Sequence, residues 1–237
     1  MSAALSESAV SIASGAVSLE GVLELPPTPC GIVVFSHGSG SGRHSPRNRY
    51  VAQKLHEAGL ATLLLDLLSA QEDRVYATRF DIGLLTDRLA AAVRFVRREP
   101  ATHALPVGLF GASTGAASAL RVAATMPADV QAVVSRGGRP DLTGDDALAT
   151  VKAPTLLIVG GRDHGVVGLN RAAFGLLAGD KHIAIVAGAT HLFEEPGALE
   201  EVARLASDWF VRFLTEARSR SYEHGLAGTA RSGHLPR

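Results

Sequence analysis

Short apolar runs alternate along the chain with longer stretches in which apolar residues recur at helical spacing. Continuous apolar runs are typical of parallel strands buried on both faces, and the helical spacing predicts amphipathic helices that cover such a sheet. This alternation predicts an α/β fold with a mainly parallel sheet and helices on both of its faces. We expect strands at residues 31–36, 61–66, 107–110, 130–134, 155–159 and 182–186.

The pattern is weaker at the two ends of the chain. Residues 16–25 alternate between apolar and polar side chains, which predicts a strand with one exposed face, or a hairpin that turns around Glu20. The last helix is expected over residues 196–216, and the glycines and missing periodicity after it predict a loose tail over residues 218–237. We therefore expect a single domain over residues 1–217.

Composition narrows the classes of partner. The 237 residues include 23 acidic and 23 basic side chains, and this zero net charge argues against nucleic acid or an anionic membrane as partner. Cys30 is the only cysteine, so no internal disulfide can form, and no spacing of cysteine and histidine predicts a metal site. Neither a signal peptide nor an apolar run of transmembrane length is present, so we expect a cytoplasmic protein.

The segment Gly111-Ala112-Ser113-Thr114-Gly115 has the G-x-S-x-G pattern, and it joins a predicted strand to an Ala-rich predicted helix. In a nucleophile elbow the serine lies on a sharp strand-to-helix turn, with glycines that let the two backbones come close. The turn exposes the hydroxyl, and the N-terminus of the following helix favours negative charge that develops there. The pattern and its context make Ser113 a candidate nucleophile.

Asp163 and His191 also follow predicted strands, and the carboxyl ends of parallel strands meet at the edge of a sheet where ligands bind. A serine hydroxyl needs a base within reach, and histidine can take its proton and return it to the leaving group. A carboxylate beside the histidine fixes the imidazole tautomer. Ser113, Asp163 and His191 follow the chain order of α/β-hydrolase triads. Asp141 is the alternative acid, ranked lower because its surroundings resemble a helix cap.

Backbone donors are needed for the oxyanion that forms when a nucleophile attacks a carbonyl. The N–H of Thr114, directly after the candidate nucleophile, is one candidate. The N–H of Ser39, in the glycine-rich stretch of residues 37–42, is the other. We expect His37, at the start of this loop, to bind loop backbone beneath the site.

These features resemble those of the dienelactone hydrolase-like members of the α/β-hydrolase superfamily. The matching segments are HGSGSGRHSPRNRY (37–50), FGASTG (110–115), SRGGRP (135–140), GGRD (160–163) and THLFEEPG (190–197). The resemblance covers roughly residues 16–215, and it implies a nucleophile at Ser113, an acid at Asp163, a base at His191 and oxyanion donors at Ser39 and Thr114. Dienelactone hydrolase itself uses a cysteine where this sequence has Ser113, so the resemblance describes the fold more than the substrate. Similar domains occur beside phosphoribosyltransferase domains, and we expect the hydrolase domain alone here.

Several basic residues lie on loops that follow the carboxyl ends of the predicted strands. We expect the active site at this edge of the sheet. The cluster consists of Arg43, His44, Arg47, Arg136, Arg139 and Arg162. Ion pairs with carboxylates of neighbouring loops are one explanation. The other is an anionic group on the substrate, since arginine binds carboxylate or phosphate through two hydrogen bonds. The candidates for substrate binding are Arg43, Arg47, Arg136 and Arg139.

The sequence therefore predicts an α/β-hydrolase fold and a serine hydrolase that cleaves carboxylic esters, lactones or thioesters through an acyl-enzyme. The longest insert after Ser113 covers residues 137–153, so we expect no substantial cap domain, an open site and a small-molecule substrate. No cofactor is expected. An acyltransferase with the same triad, or a catalytically silent binding protein of this fold, are the alternatives.

Overall fold

The structure, a computed structural model, describes residues 5–231 and the side chains as far as Arg220. The described residues form one eight-stranded sheet with the order β1-β2-β4-β3-β5-β6-β7-β8. The strands are β1 (Ser6–Ser14), β2 (Val17–Leu25), β3 (Ile32–Ser36), β4 (Ala61–Leu65), β5 (Val107–Ala112), β6 (Val130–Arg136), β7 (Thr155–Gly160) and β8 (Lys181–Val186). The helices are α1 (Pro46–Glu57), α2 (Ile82–Val96), α3 (Thr114–Thr125), α4 (Asp145–Thr150), α5 (His164–Leu176) and α6 (Ala198–Arg231).

Most of the sheet is parallel, as the apolar runs predict. Strand β3 pairs in parallel with β4 and β5, and the parallel pairing continues through β6 and β7 to β8. Strands β1 and β2 are antiparallel to each other, and β2 is antiparallel to β4. The loops after β3, β5, β7 and β8 therefore leave the same edge of the sheet, where ligands bind in folds of this kind.

An N-terminal hairpin extends the sheet at its β4 side. Strand β1 pairs with β2 along its whole length, and the chain turns at Gly15, whose φ is +62°. The turn predicted around Glu20 is wrong, because Glu20 lies inside β2 opposite Ser11. Strand β1 carries serines and is mostly exposed, so it lacks the apolar alternation by which a strand is recognised in a sequence.

Each face of the sheet buries an apolar core beneath helices. Helices α2 and α3 cover one face with Leu89 and Leu120, and helices α1 and α6 cover the other with Leu55 and Phe210. These four side chains are completely buried. Burying one large apolar side chain contributes about 1.5–3 kcal/mol, so the two cores hold the strands in place and leave the loops at the carboxyl edge to form a site.

The last helix is longer than the sequence predicts. Helix α6 continues to Arg231, whereas the sequence predicts a helix that ends at residue 216 and a loose tail from residue 218. The predicted end of the helix at residue 216 is wrong, because single glycines weaken a helix by about 1 kcal/mol without ending it. The looseness of the tail stays a prediction. Residues 232–237 of the predicted tail lie outside the described residues. The single domain over residues 1–217 stays a prediction.

Within the described part of the chain, none of the helices combines the length and apolar character that crossing a lipid bilayer requires.

Candidate active site

Ser113 lies on a sharp turn between β5 and α3, with φ of 51° and ψ of −121°. A positive φ is uncommon for a residue with a side chain, and strain of this kind concentrates at functional sites. Gly115 makes the turn possible, since a Cβ at that position would overlap the carbonyl oxygens of Ser36 and His37 at the end of β3. A Cβ at Gly111 would overlap the backbone of Ala116 in the same way. The local geometry is that of a nucleophile elbow.

The three candidate triad residues lie together at the carboxyl edge of the sheet. Asp163 directly precedes α5 in the loop after β7, and His191 follows β8. The Nδ1 atom of His191 is 2.6 Å from Oδ2 of Asp163, and its Nε2 atom is 3.3 Å from Oγ of Ser113. The His191 side chain keeps 38 % of its surface exposed, and that of Asp163 keeps 18 %, so the site is shallow.

The hydrogen bonds of His191 determine which of its nitrogens can act as the base. A carboxylate can only accept, so Nδ1–H of His191 donates to Asp163. The neutral ring then has its lone pair at Nε2, which faces the Ser113 hydroxyl. The arrangement can take a proton from Ser113 and stabilise the imidazolium that results.

The two candidate oxyanion donors lie next to each other. Thr114 is the first residue of α3, so its N–H has no acceptor within the helix. The N–H of Ser39 donates to the Thr114 side-chain hydroxyl over 3.0 Å. The Thr114 hydroxyl thus connects the glycine-rich loop to the elbow, a contact that the sequence analysis misses because nothing in the pattern gives the direction of this side chain.

His37 is buried beneath the glycine-rich loop. Its Nδ1–H donates to the carbonyl oxygen of Gly38 over 2.9 Å, and its Nε2 accepts from the N–H of Leu67, also over 2.9 Å. Both nitrogens are therefore occupied by backbone, and burial lowers the pKa of the ring. These contacts agree with the predicted role of binding loop backbone.

The loop that carries His191 is held by an acidic residue. The carboxylate of Glu195 accepts from the backbone N–H of Thr190, with both of its oxygens 3.1 Å away. Hydrogen bonding to the Thr190 side chain, and also to the backbone N–H groups of Glu195 and Thr190, lowers the pKa of Glu195. Phe193, between the two, has a φ of 57° and is buried. This loop contact could not be predicted, because nothing in the sequence pattern gives the direction of the Glu195 side chain.

Three of the four arginines predicted to bind substrate have carboxylate partners. Arg43 pairs with Asp66 and with Glu20, Arg47 pairs with Glu194 at 2.9 Å, and Arg139 pairs with Asp141 at 2.7 Å. Of the other two basic residues of this cluster, His44 is exposed, and Arg162 lies directly before Asp163. The pairs of Arg43 and Arg47 tie different loops around the site to one another, whereas Arg139 and Asp141 lie two residues apart on the same loop.

Arg136 differs from the others because it is buried and has no carboxylate partner among the described residues. It is 7 % exposed, and its Nε and Nη1 atoms are enclosed without a hydrogen-bond acceptor. Burial lowers its pKa to about 10, and the nearby Arg47 adds to the effect. In residues 5–231 there is no group of three or more His, Cys, Asp or Glu side chains that could hold a metal ion.

A solved structure closely resembles this one in both sequence and fold. The crystal structure of a dienelactone hydrolase from Anabaena variabilis has a TM-score of 0.86 with this chain. The two sequences are 55 % identical, over 89 % of this chain and 99 % of that one. The chain belongs to the dienelactone hydrolase family. It is therefore an α/β-hydrolase, and an enzyme.

Two further comparisons agree with the α/β-hydrolase fold. Residues 27–138 match a family profile described as serine aminopeptidase, S33. Est1E from Butyrivibrio proteoclasticus has the same fold, with a TM-score of 0.74 at 16 % identity over 86 % of this chain and 98 % of that one.

Two proteins from Mycobacterium tuberculosis, strains CDC 1551 and H37Rv, are longer relatives of this dienelactone hydrolase-family chain. Both are provisionally named phosphoribosyl transferases, and each is 56 % identical over 210 residues. The match covers 89 % of this chain and 47 % of each relative, so the chain spans about half the length of these proteins.

Proposed function

We propose that this hydrolase cleaves carboxylic esters, lactones or thioesters of small molecules with Ser113 as nucleophile, His191 as base and Asp163 as acid. The observation that carries the proposal is the unbroken contact from Asp163 Oδ2 through His191 to Ser113 Oγ, at 2.6 Å and 3.3 Å. The strained backbone of Ser113 adds support, because strain is retained where function needs it.

In the proposed reaction, Ser113 Oγ attacks the acyl carbon while His191 Nε2 takes the hydroxyl proton. The carbonyl oxygen becomes an oxyanion beside the N–H of Thr114 at the start of α3. When the intermediate collapses, the bond to the leaving oxygen or sulfur breaks and His191 returns the proton to it. Water then attacks the acyl-enzyme with His191 as base, which releases the acid and restores Ser113.

The surroundings of the site favour short or compact substrates. After β6 the chain forms only a 3₁₀ turn at Pro140–Thr143 and the short helix α4 before it enters β7. Neither segment has the length of a cap domain, and the exposed part of His191 remains open to solvent. A substrate with a long apolar chain would gain little burial here, which argues against a lipase.

Ser113→Ala tests the proposal directly. The variant should keep the wild-type unfolding temperature and lose nearly all hydrolysis of 4-nitrophenyl acetate. Wild-type protein should react covalently with a fluorophosphonate probe at Ser113, and the variant should not. A variant that keeps most of its turnover, or a label on another residue, would contradict Ser113 as nucleophile.

A panel of acyl acceptors and leaving groups separates the remaining alternatives. Cleavage rates of aryl esters, thioesters and aminoacyl arylamides with matched acyl groups should be measured. These rates compare ester cleavage with the peptidase activity that the family profile names. Added alcohols would divert the acyl-enzyme to new esters in an acyltransferase. A chain that neither reacts with the probe nor turns over any of these compounds would be a silent binding protein.

A further inference from the structure

Asn170 is a completely buried amide on helix α5. It is 0 % exposed, and it follows Asp163, the candidate acid at the start of the helix, by about two helical turns. Asp163 and Asn170 therefore lie along the same side of α5. A polar side chain that is removed from water needs hydrogen-bond partners within the protein, so its partners show what Asn170 holds in place.

The partners of Asn170 join α5 to a distant loop. Both are carbonyl oxygens, so only the Nδ2 amide group can face them. It donates to Gly138 over 3.0 Å and to Val166, one turn earlier in the helix, over 2.8 Å. Gly138 is 32 positions away along the chain, in the loop after β6. The hydrogen bond to Gly138 therefore fixes α5 against that loop.

The acceptor end of the same amide has no partner. The Oδ1 atom of Asn170 is enclosed and makes no hydrogen bond within the described part of the chain. An enclosed acceptor without a donor is unfavourable, and an apolar side chain of the same branching would avoid it. The donors of the side chain, and not its acceptor, therefore account for an asparagine at this position.

Residues 137–139 contact two members of the candidate triad. The N–H of Arg139 donates to the carbonyl oxygen of Ser113 over 3.1 Å. A Cβ at Gly137 would come within 3.1 Å of the His191 carbonyl oxygen and within 3.5 Å of its Nδ1 atom. The backbone of this segment thus packs against His191 and binds the nucleophile elbow.

Gly138 lies between these two contacts and has little space around it. A Cβ at this position would overlap the Ser135 side chain and Ala116 of helix α3. Because Gly138 directly precedes Arg139, a shift of the Gly138 carbonyl would also move the N–H that binds the elbow. The hydrogen bond from Asn170 is placed to prevent that shift.

We propose that Asn170 is a positioning residue that ties α5, which follows the acid, to the segment that holds Ser113 and His191. The inference rests on the proposed hydrolysis at Ser113 and adds a residue to it. Because Asn170 is completely buried, it acts through the backbone at Gly138 and not on the substrate. A displacement of catalytic groups by about 1 Å can lower the rate by about 100-fold, so a single hydrogen bond that fixes their spacing affects catalysis.

Asn170→Leu and Asn170→Ala test the proposal through the kinetics of 4-nitrophenyl acetate hydrolysis. Leucine has the same branching without the donor, and alanine covers the case in which leucine does not fit. Each variant should lower kcat by about tenfold or more and leave KM within about twofold of wild type. The rate of reaction with a fluorophosphonate probe should fall by a similar factor, because it needs the same contact between Ser113 and His191.

Leu177→Ala is the control for a loss of stability. Leu177 is buried at the C-terminal end of α5, about two turns beyond Asn170. The cavity left by a buried leucine lowers the unfolding temperature. Measured well below that temperature, Leu177→Ala should keep the wild-type kcat. An equal loss of kcat in Leu177→Ala would make Asn170 a general support of the helix and would overturn the proposal.

Amide hydrogen exchange tests the same contact without a substrate. Exchange of the Arg139 N–H, which is bound to Ser113, should be about tenfold or more faster in Asn170→Ala than in wild type. The N–H of Val133, bound to the carbonyl oxygen of Pro154, should keep its wild-type rate. An unchanged rate at Arg139, or an equal increase at Val133, would overturn the proposal.

The outcomes separate this inference from the proposed function. If wild type hydrolyses the ester and both Asn170 variants keep its kcat, the hydrolysis stands and the positioning role is overturned. A rise in KM at constant kcat would also overturn it, since the residue would then shape substrate binding. If wild type neither hydrolyses the ester nor reacts with the probe, the proposed function fails. The exchange rate at Arg139 alone then supports or overturns the anchoring of the elbow by Asn170.

Discussion

The backbone N–H of Ser39 donates a hydrogen bond to the side-chain hydroxyl of Thr114 over 3.0 Å. Both residues are candidate oxyanion donors through their backbone N–H groups, and this contact links them directly. The glycine-rich loop has few side chains that could fix its path, so this hydrogen bond holds the loop against the elbow. The same N–H is occupied by the Thr114 hydroxyl, and it would serve an oxyanion only if it were shared with that hydroxyl or released from it.

Thr114→Val should lower kcat for 4-nitrophenyl acetate, because it keeps the shape of the side chain and removes the acceptor for Ser39. The loss of one neutral hydrogen bond corresponds to about 0.5–1.5 kcal/mol, or a few-fold to about tenfold in rate. Thr114→Ser retains the hydroxyl and should stay near wild type. A faster Thr114→Val enzyme would mean that the hydroxyl competes with the oxyanion for Ser39.

Asp163→Asn should lower kcat by about 10⁴, the loss seen in serine proteases when the triad carboxylate no longer holds the correct imidazole tautomer. Asp141→Asn is the matched control, since this carboxylate is the alternative acid in the sequence. In the structure Asp141 is bound by Arg139 through two hydrogen bonds of 2.8 Å and 2.7 Å. Its replacement should change kcat far less, and the reverse order of effects would assign the acid to Asp141.

The fold and the candidate triad could be predicted from the sequence because their signals are local. Strands β3, β4, β5 and β7 carry continuous apolar runs, and Ser113 and Asp163 each follow such a run, whereas His191 follows the partly exposed edge strand β8. Parallel strands then bring the three residues to one edge without any knowledge of side-chain directions. The missed strand β1 lacks this signal, since its side chains are mostly exposed.

The partners of the arginines could not be predicted, because they depend on rotamers and on contacts between distant loops. Arg47 and Glu194 are separated by 147 positions, and only the folded chain shows that they pair. Arg139 and Arg136 look equivalent in the sequence SRGGRP, yet one reaches a carboxylate and the other is buried alone. Burial and pairing decide their chemistry.

The strain at Ser113 predicts a gain in stability when its Cβ is removed. Ser113→Gly and Ser113→Ala both lack the hydroxyl, but only glycine adopts a positive φ without steric cost. A strained backbone of this kind costs about 1–3 kcal/mol, and the greater flexibility of unfolded glycine offsets about 0.5–1 kcal/mol of the gain. In urea unfolding, the free energy of unfolding of Ser113→Gly should exceed that of Ser113→Ala by about 1 kcal/mol. Equal free energies of unfolding would mean that the turn stores no strain.

His37 should make the protein less stable as the solution becomes mildly acidic. Burial lowers the pKa of its ring below the ordinary value of 6.5, and its two nitrogens are occupied by Gly38 and Leu67. Between the lowered pKa and 6.5, the unfolded chain binds a proton that the folded protein does not. The unfolded state then carries more protons, so stability is complete above about pH 6.5 and is lost as pH falls through this window.

Comparison with His37→Gln isolates this effect from other titrating groups. The variant should unfold at a lower temperature than wild type at pH 7.5, since glutamine cannot bind both backbone partners in the same geometry. The difference in unfolding temperature should shrink toward pH 5.5. Only the wild type contains a buried imidazole whose protonation destabilises the folded state. His56 and Glu24, whose pKa values are also shifted by burial, are present in both proteins and cancel. A difference that stays constant or widens would mean that protonated His37 is accommodated in the folded state.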